Sequence, residues 1–150
     1  MKNVFDQNDA TDLVNRINKL GPSTQALWGK MRVAQMLAHS NVTYELIYDD
    51  KHPKPNPVMR LILKLLVKDK VVGEKPYKQN SQTAPVFLVK EEKDFGTEKG
   101  RLINHINKTQ QLGEAYFNGK ESHSFGILSI TEWNNMLYKH LDHHLMQFGV

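Results

Sequence analysis

Residues 129–149 read Ser129-Ile130-Thr131-Glu132-Trp133-Asn134-Asn135-Met136-Leu137-Tyr138-Lys139-His140-Leu141-Asp142-His143-His144-Leu145-Met146-Gln147-Phe148-Gly149. Ser129 is followed three residues later by Glu132, the capping-box pattern of a helix start. Trp133, Leu137, Leu141, His144 and Phe148 then form one stripe at helical spacing. Gly149 stands where a C-terminal glycine ends a helix. A long amphipathic helix is therefore predicted over 129–148.

The same periodicity predicts three more long helices. Leu13, Val14, Ile17 and Leu20 mark one over 9–20. Val33, Met36, Ser40, Tyr44 and Ile47 share a face over 32–48. Phe95, Leu102, Ile103, Ile106 and Phe117 share one over 92–117, where Gly113 weakens the last turn. Turn signals separate these pieces: Gly21-Pro22, then Pro53, Pro55 and Pro57, then a polar connection from Gly73 to Pro85, then Asn118-Gly119. A shorter helix over 57–68 is apolar almost all round, with one polar stripe of Arg60, Lys64 and Lys68. Such a helix is deeply packed or covers another surface. The segment 84–90 reads as a short strand or an extended stretch, and Pro85 keeps it out of a sheet centre. The expectation is an all-α bundle: four long helices, with an extra short helix in a long crossover connection.

Composition supports one globular domain over 1–150: hydrophobic residues are 39% and charged residues 24%. No cysteine is present, which excludes disulfides, thiolate metal ligands and a Cys nucleophile. No apolar stretch follows Lys2, so no secretory leader is expected, and a cytoplasmic location fits. The longest apolar run, Val58 to Val67, is interrupted by Arg60 and Lys64 and falls short of the roughly 20 residues a membrane span needs. The formal charge of +4 invites a nucleic-acid reading. Only Arg16, Arg32, Arg60 and Arg101 are arginines, however, and the lysines are scattered among acidic residues such as Glu91, Glu92 and Asp94. That distribution argues against nucleic acid.

The seven histidines carry the chemistry: His39, His52, His105, His123, His140, His143 and His144. His140 and His144 are four residues apart on one helix face. With Trp133 at zero, they fall near about −20° and +20° on the helical wheel, inside the apolar stripe. Two imidazoles in an apolar interior need hydrogen-bond partners or a shared metal. His143 lies at the edge of that face. A third ligand has to come from another helix. His39, at the margin of the second long helix, is the best candidate, and His105 is a weaker one. His52 sits in the Pro-rich loop and is expected in solvent. No general base is evident, because Glu45 and Asp142 are expected on solvated faces. Gly-rich phosphate loops, Gly-x-Ser-x-Gly and His-Glu-x-x-His are all missing.

A His in the second long helix, with His-x-x-x-His and a Gln three residues on in the last, resembles the DinB/YfiT-like superfamily of metal-binding bundles. The residues are His39, His140, His144 and Gln147. One branch, known only as a domain of unknown function, is more similar still. The similarity lies at Leu27-Trp28-Gly29-Lys30-Met31, at Gln35-Met36-Leu37-Ala38-His39, at Ser122-His123-Ser124-Phe125-Gly126 and from Tyr138 to Gly149. Leu145-Met146 stands where relatives often carry Arg-Gly. The resemblance implies an up-down-down-up four-helix bundle and one divalent metal held by His39, His140 and His144. Zinc or nickel would come first, with iron or manganese compatible. His123, His143, Gln147 and Trp28 would stand beside the ligands or line a substrate pocket. The implied activity is metal-dependent hydrolysis or thiol-dependent transfer on an unknown small molecule. The rival expectation is a non-enzymatic binding or dimerisation module with structural histidines, its homodimer contact sealed by the Arg60/Lys64/Lys68 helix.

Overall fold

A computed structural model describes residues 1–150. The chain is mostly helical, with six α-helices and one two-stranded hairpin, as the all-α expectation requires. The four long helices are α1 (Gln7–Asn18), α2 (Val33–Tyr48), α5 (Phe95–Phe117) and α6 (Ile130–Gln147). Two short ones, α3 (Pro57–Leu66) and α4 (Lys68–Val72), occupy the connection from α2 to α5. β1 (Glu121–Ser122) pairs antiparallel with β2 (Gly126–Ile127), Glu121 opposite Ile127.

Local sequence sets the helix ends. The side chains of Asp6, Asn56 and Asp94 cap α1, α3 and α5 by accepting from backbone amides of the first turn. Ser129 and Glu132 form the predicted capping box on α6. Gly149, at φ 75°, stops that helix: its amide donates to Met146 O, and Val150 N donates to Leu145 O.

The core sits where α1 and α2 pack on α5 and α6. Leu13, Ile17, Met36, Leu37, Leu102, Ile106, Leu137 and Leu141 are each at most 1% exposed. α2 is enclosed on nearly every side, with an unbroken buried run from Met36 to Glu45. The single apolar face read from the sequence is therefore too narrow, and His39 is inside the protein rather than at a margin.

Several expectations are corrected. The helix predicted over 57–68 breaks at Val67 (φ −116°, ψ −34°), and a separate helix, α4, begins at Lys68. α3 covers the surface and buries none of its residues. Segment 84–90 holds no strand but a 3₁₀ turn at Pro85–Phe87. Gly113 does more than weaken a turn: φ 64° with ψ −179° kinks α5, a conformation open essentially to glycine alone. α4 is pinned to α6 by Lys139 Nζ, which donates to Lys70 O and Gly73 O, and by Asn135 Nδ2, which donates to Val72 O. No helix is long and apolar enough to cross a membrane.

Candidate metal centre

α2 delivers His39 and α6 delivers His140 and His144 to one place. One ring nitrogen from each lies within 4.8 Å of the other two. The ring centroids stand 4.6 to 4.9 Å apart. His39 and His144 are buried and His140 is half-buried.

Each ring is held from behind through Nδ1. His39 Nδ1–H donates to the carbonyl of Phe87 at 2.9 Å. His144 Nδ1–H donates to Gln147 Oε1 at 2.8 Å, and Gln147 Nε2 donates onward to Trp28 O at 2.8 Å. Thr43 Oγ1 lies 2.9 Å from His140 Nδ1. Carbonyl oxygens only accept, so His39 and His144 carry their protons on Nδ1 and present bare Nε2 lone pairs. His39 Nε2 then faces His140 Nε2 at 2.9 Å. Either a proton on His140 or a cation shared between the rings satisfies that approach. His144 Nε2 makes no hydrogen bond at all.

The surroundings keep these rings neutral. Burial pushes His39 below the usual imidazole value and His140 well below it, with His144 and His39 adding to the effect on His140. Burial, with His39 next to it, holds His144 down at about 3, against the opposing pull of Gln147. Neutral imidazole is the form that binds metal ions.

A cavity of about 660 Å³ lies beside the three rings. Its walls are mostly apolar and aromatic, no Asp or Glu lines it, and Lys30 is its one fully charged side chain. Trp28, His123, His143 and Gln147 all line this cavity, as do the three clustered histidines. His143 packs edge-on to Trp28 and Tyr77 and is half-buried. His123 Nε2–H donates to His52 O at 3.3 Å, so its Nδ1 accepts the Ser124 hydroxyl at 3.0 Å. The Nε1 atoms of Trp28 and Trp133 are the two buried side-chain polar atoms without a partner, and both residues belong to the cavity wall.

Other histidines and carboxylates lie elsewhere. His105 is not at the cluster: its Nδ1 meets Asn41 Oδ1 at 3.0 Å, and its ring stacks on Tyr44. His52 is half-buried against Glu45 at 2.8 Å rather than free in solvent. Glu45 is buried, not solvated, and is paired with His52, Arg101 and Lys51. Burial alone would raise its carboxyl, but these partners outweigh it and hold the group below its usual value. Asp142 pairs with Arg16 at 2.7 Å.

Two contributors escaped the sequence reading, and a third, Gly29, stood there only as part of the Leu27–Met31 block with no role of its own. Thr43 and the Phe87 carbonyl have no motif. Gly29 is required twice over: its φ is +82°, and a Cβ there would sit 2.5 Å from Gln147 Nε2. The Trp28-Gly29 pair thus gives Gln147 both an acceptor and room. Comparison with known proteins gave no match, either to a family model, to a curated protein or to a solved structure.

Proposed function

We propose that this chain is a DinB/YfiT-like metalloenzyme that binds one divalent ion through His39, His140 and His144 and acts on a small molecule held in the adjoining cavity. The mutual packing of α1, α2, α5 and α6, with α3 and α4 in the crossover, supports the up-down-down-up bundle of that superfamily. The observation that carries the reading is one ring nitrogen from each of three histidines within 4.8 Å of the others, while every Nδ1 has a partner outside the cluster. Outer partners of this kind fix tautomer and ring orientation around bound metals.

A divalent ion there, zinc or nickel first, supplies Lewis acidity toward a substrate oxygen or sulfur. The chain's own groups supply the rest. The apolar wall excludes water from the substrate body and favours a neutral or anionic molecule over a cationic one. The indole N–H groups of Trp28 and Trp133 are buried without a partner, so these two residues serve the cavity as apolar wall. His123, its Nε2 proton fixed on a carbonyl, accepts the Ser124 hydroxyl at Nδ1, so the pair brings a hydroxyl backed by an imidazole base to the cavity wall. Hydrolysis and thiol transfer are the reaction types this set serves, and a thiol has to come with the substrate because the chain has none.

The rival reading is a binding module without catalysis, in which His140 Nε2–H donates to His39 Nε2. It accounts for the 2.9 Å approach but leaves His144 Nε2 idle. Elemental analysis decides between them. Near-stoichiometric metal in the wild type, lost in His140→Ala/His144→Ala, supports the metal reading and directs a screen of ester hydrolysis and thiol transfer. No metal after reloading at neutral pH refutes it.

A further inference from the structure

Helix α3 is turned inside out. Leu63 and the following Val67 pack against the core and line the cavity. Two of its flanking cations are bound within the chain: Arg60 pairs with Glu121, and Lys68 pairs with Glu132 at 2.6 Å. These ion pairs hold the helix with its apolar side outward. Val58, Met59, Leu61, Ile62, Leu65 and Leu66 are each between 43% and 71% exposed. At about 100° per residue they cover roughly 160° of the helix surface without a charge among them. The patch is on the order of 500 Å², the upper end of what a monomer leaves open.

The charge around the patch selects its occupant. An anionic membrane draws on several free cations beside the apolar face. Here Arg60 and Lys68 are taken up internally, which leaves Lys64 on the helix and Lys54 just before it as the unpaired cations. An acidic peptide meets the same two cations, both at the rim of the apolar arc rather than within it. The face instead suits an uncharged, rigid, leucine-rich surface, and a second copy of this chain presents one. Under a twofold axis two α3 helices run antiparallel, each burying the same residues against the other. Two such patches together are on the order of 1,000 Å², the size at which a contact becomes a specific interface. We infer that the protein is a homodimer joined by an antiparallel pair of α3 helices. The contact lies directly behind Leu63 and Val67, so each partner braces the cavity wall of the other. This inference is independent of whether the histidines hold a metal.

Sedimentation equilibrium on the full chain tests it. The wild type is expected at twice the monomer mass of 17.3 kDa. Leu61→Glu/Leu65→Glu is expected to weaken self-association at least about 100-fold, with the helical circular dichroism unchanged. Both leucines are more than half exposed, so the fold does not depend on them. The chain has no cysteine, so Ile62→Cys adds a unique thiol. It is expected to give a disulfide-linked dimer under mild oxidation. A monomer at every concentration overturns the inference. So does a dimer that survives the double substitution and fails to cross-link through residue 62. Co-sedimentation of a solution monomer with phosphatidylcholine/phosphatidylserine vesicles, abolished by the double substitution, assigns the face to a membrane and overturns it too.

Discussion

Replacing Gln147 by Leu separates the positioning of a histidine from the histidine itself. The change keeps the size of the side chain and removes two hydrogen bonds, one from His144 Nδ1–H and one to Trp28 O, both 2.8 Å long. His144 is 6% exposed and Gln147 4%, so water does not take their place. Leaving a buried donor or acceptor unpaired costs about 1–3 kcal/mol of stability. Without Oε1 the His144 proton is free to move to Nε2, the atom that faces the other rings. Loss of an outer partner of this kind typically lowers metal affinity about 10–100-fold, or roughly 1.4–2.8 kcal/mol. Zinc competition against a chromophoric chelator measures the change in wild type, Gln147→Leu and His144→Ala. The expected order is wild type, then Gln147→Leu weaker by that factor, then His144→Ala weakest. Equal affinity of wild type and Gln147→Leu refutes the claim that Gln147 sets the tautomer. Equal loss in Gln147→Leu and His144→Ala refutes it as well, because Gln147 would then act as a ligand.

Gly29→Ala should lower zinc affinity in the same assay without touching a ligand, since its Cβ would meet Gln147 Nε2 at 2.5 Å on a backbone already at φ +82°; affinity equal to wild type counts against it. Chelator-treated protein should lose stability as the pH falls below about 6.5. His39, His140 and His144 take up protons in the unfolded chain at that pH but only at lower pH when folded, about 3 for His144. Each histidine then contributes a slope of about 1.4 kcal/mol per pH unit until its folded value is reached. Urea midpoints at pH 7.5 and 5.5 read this, and a midpoint that holds or rises at the lower pH contradicts it. Asn41→Ala removes bonds to Glu98 O, Glu98 Oε2 and His105 Nδ1 at a site with no exposure, and should cost about 2–3 kcal/mol in urea unfolding while leaving metal content intact. Gly113→Ala should cost about 1–3 kcal/mol by the same measurement, because φ 64° with ψ −179° suits no side chain.

The helices were legible because their signals are local. Ser129 and Glu132, the i, i+4 histidines and Gly149 lie within one helix, and the structure reproduces the geometry they announce. The ring partners were not legible, for a physical reason. Phe87 acts through a carbonyl that every residue carries, 48 positions from His39. Glu45 and Asp142 look like surface carboxylates until Arg101 and Arg16 arrive from 56 and 126 positions away. The break at Val67 has neither glycine nor proline to mark it. One apolar stripe on α2 puts His39 at a margin, whereas α5, α6 and the 3₁₀ turn cover that helix from several sides.

The bond from His39 to Phe87 reaches into the long connection between α4 and α5. From Glu74 to Thr83 no backbone amide donates to a backbone carbonyl. The stretch is held by that bond near its end and by Tyr77 against His140 and His143. Local opening of the connection therefore releases the His39 ring at the same moment. An ion that binds only the closed form suppresses such opening, by about 2.7 kcal/mol or roughly 100-fold when it is present at 100 times its dissociation constant. Proteolytic nicking and amide exchange across residues 74–84 thus become a readout of occupancy at the histidines, although no residue of that stretch is a ligand.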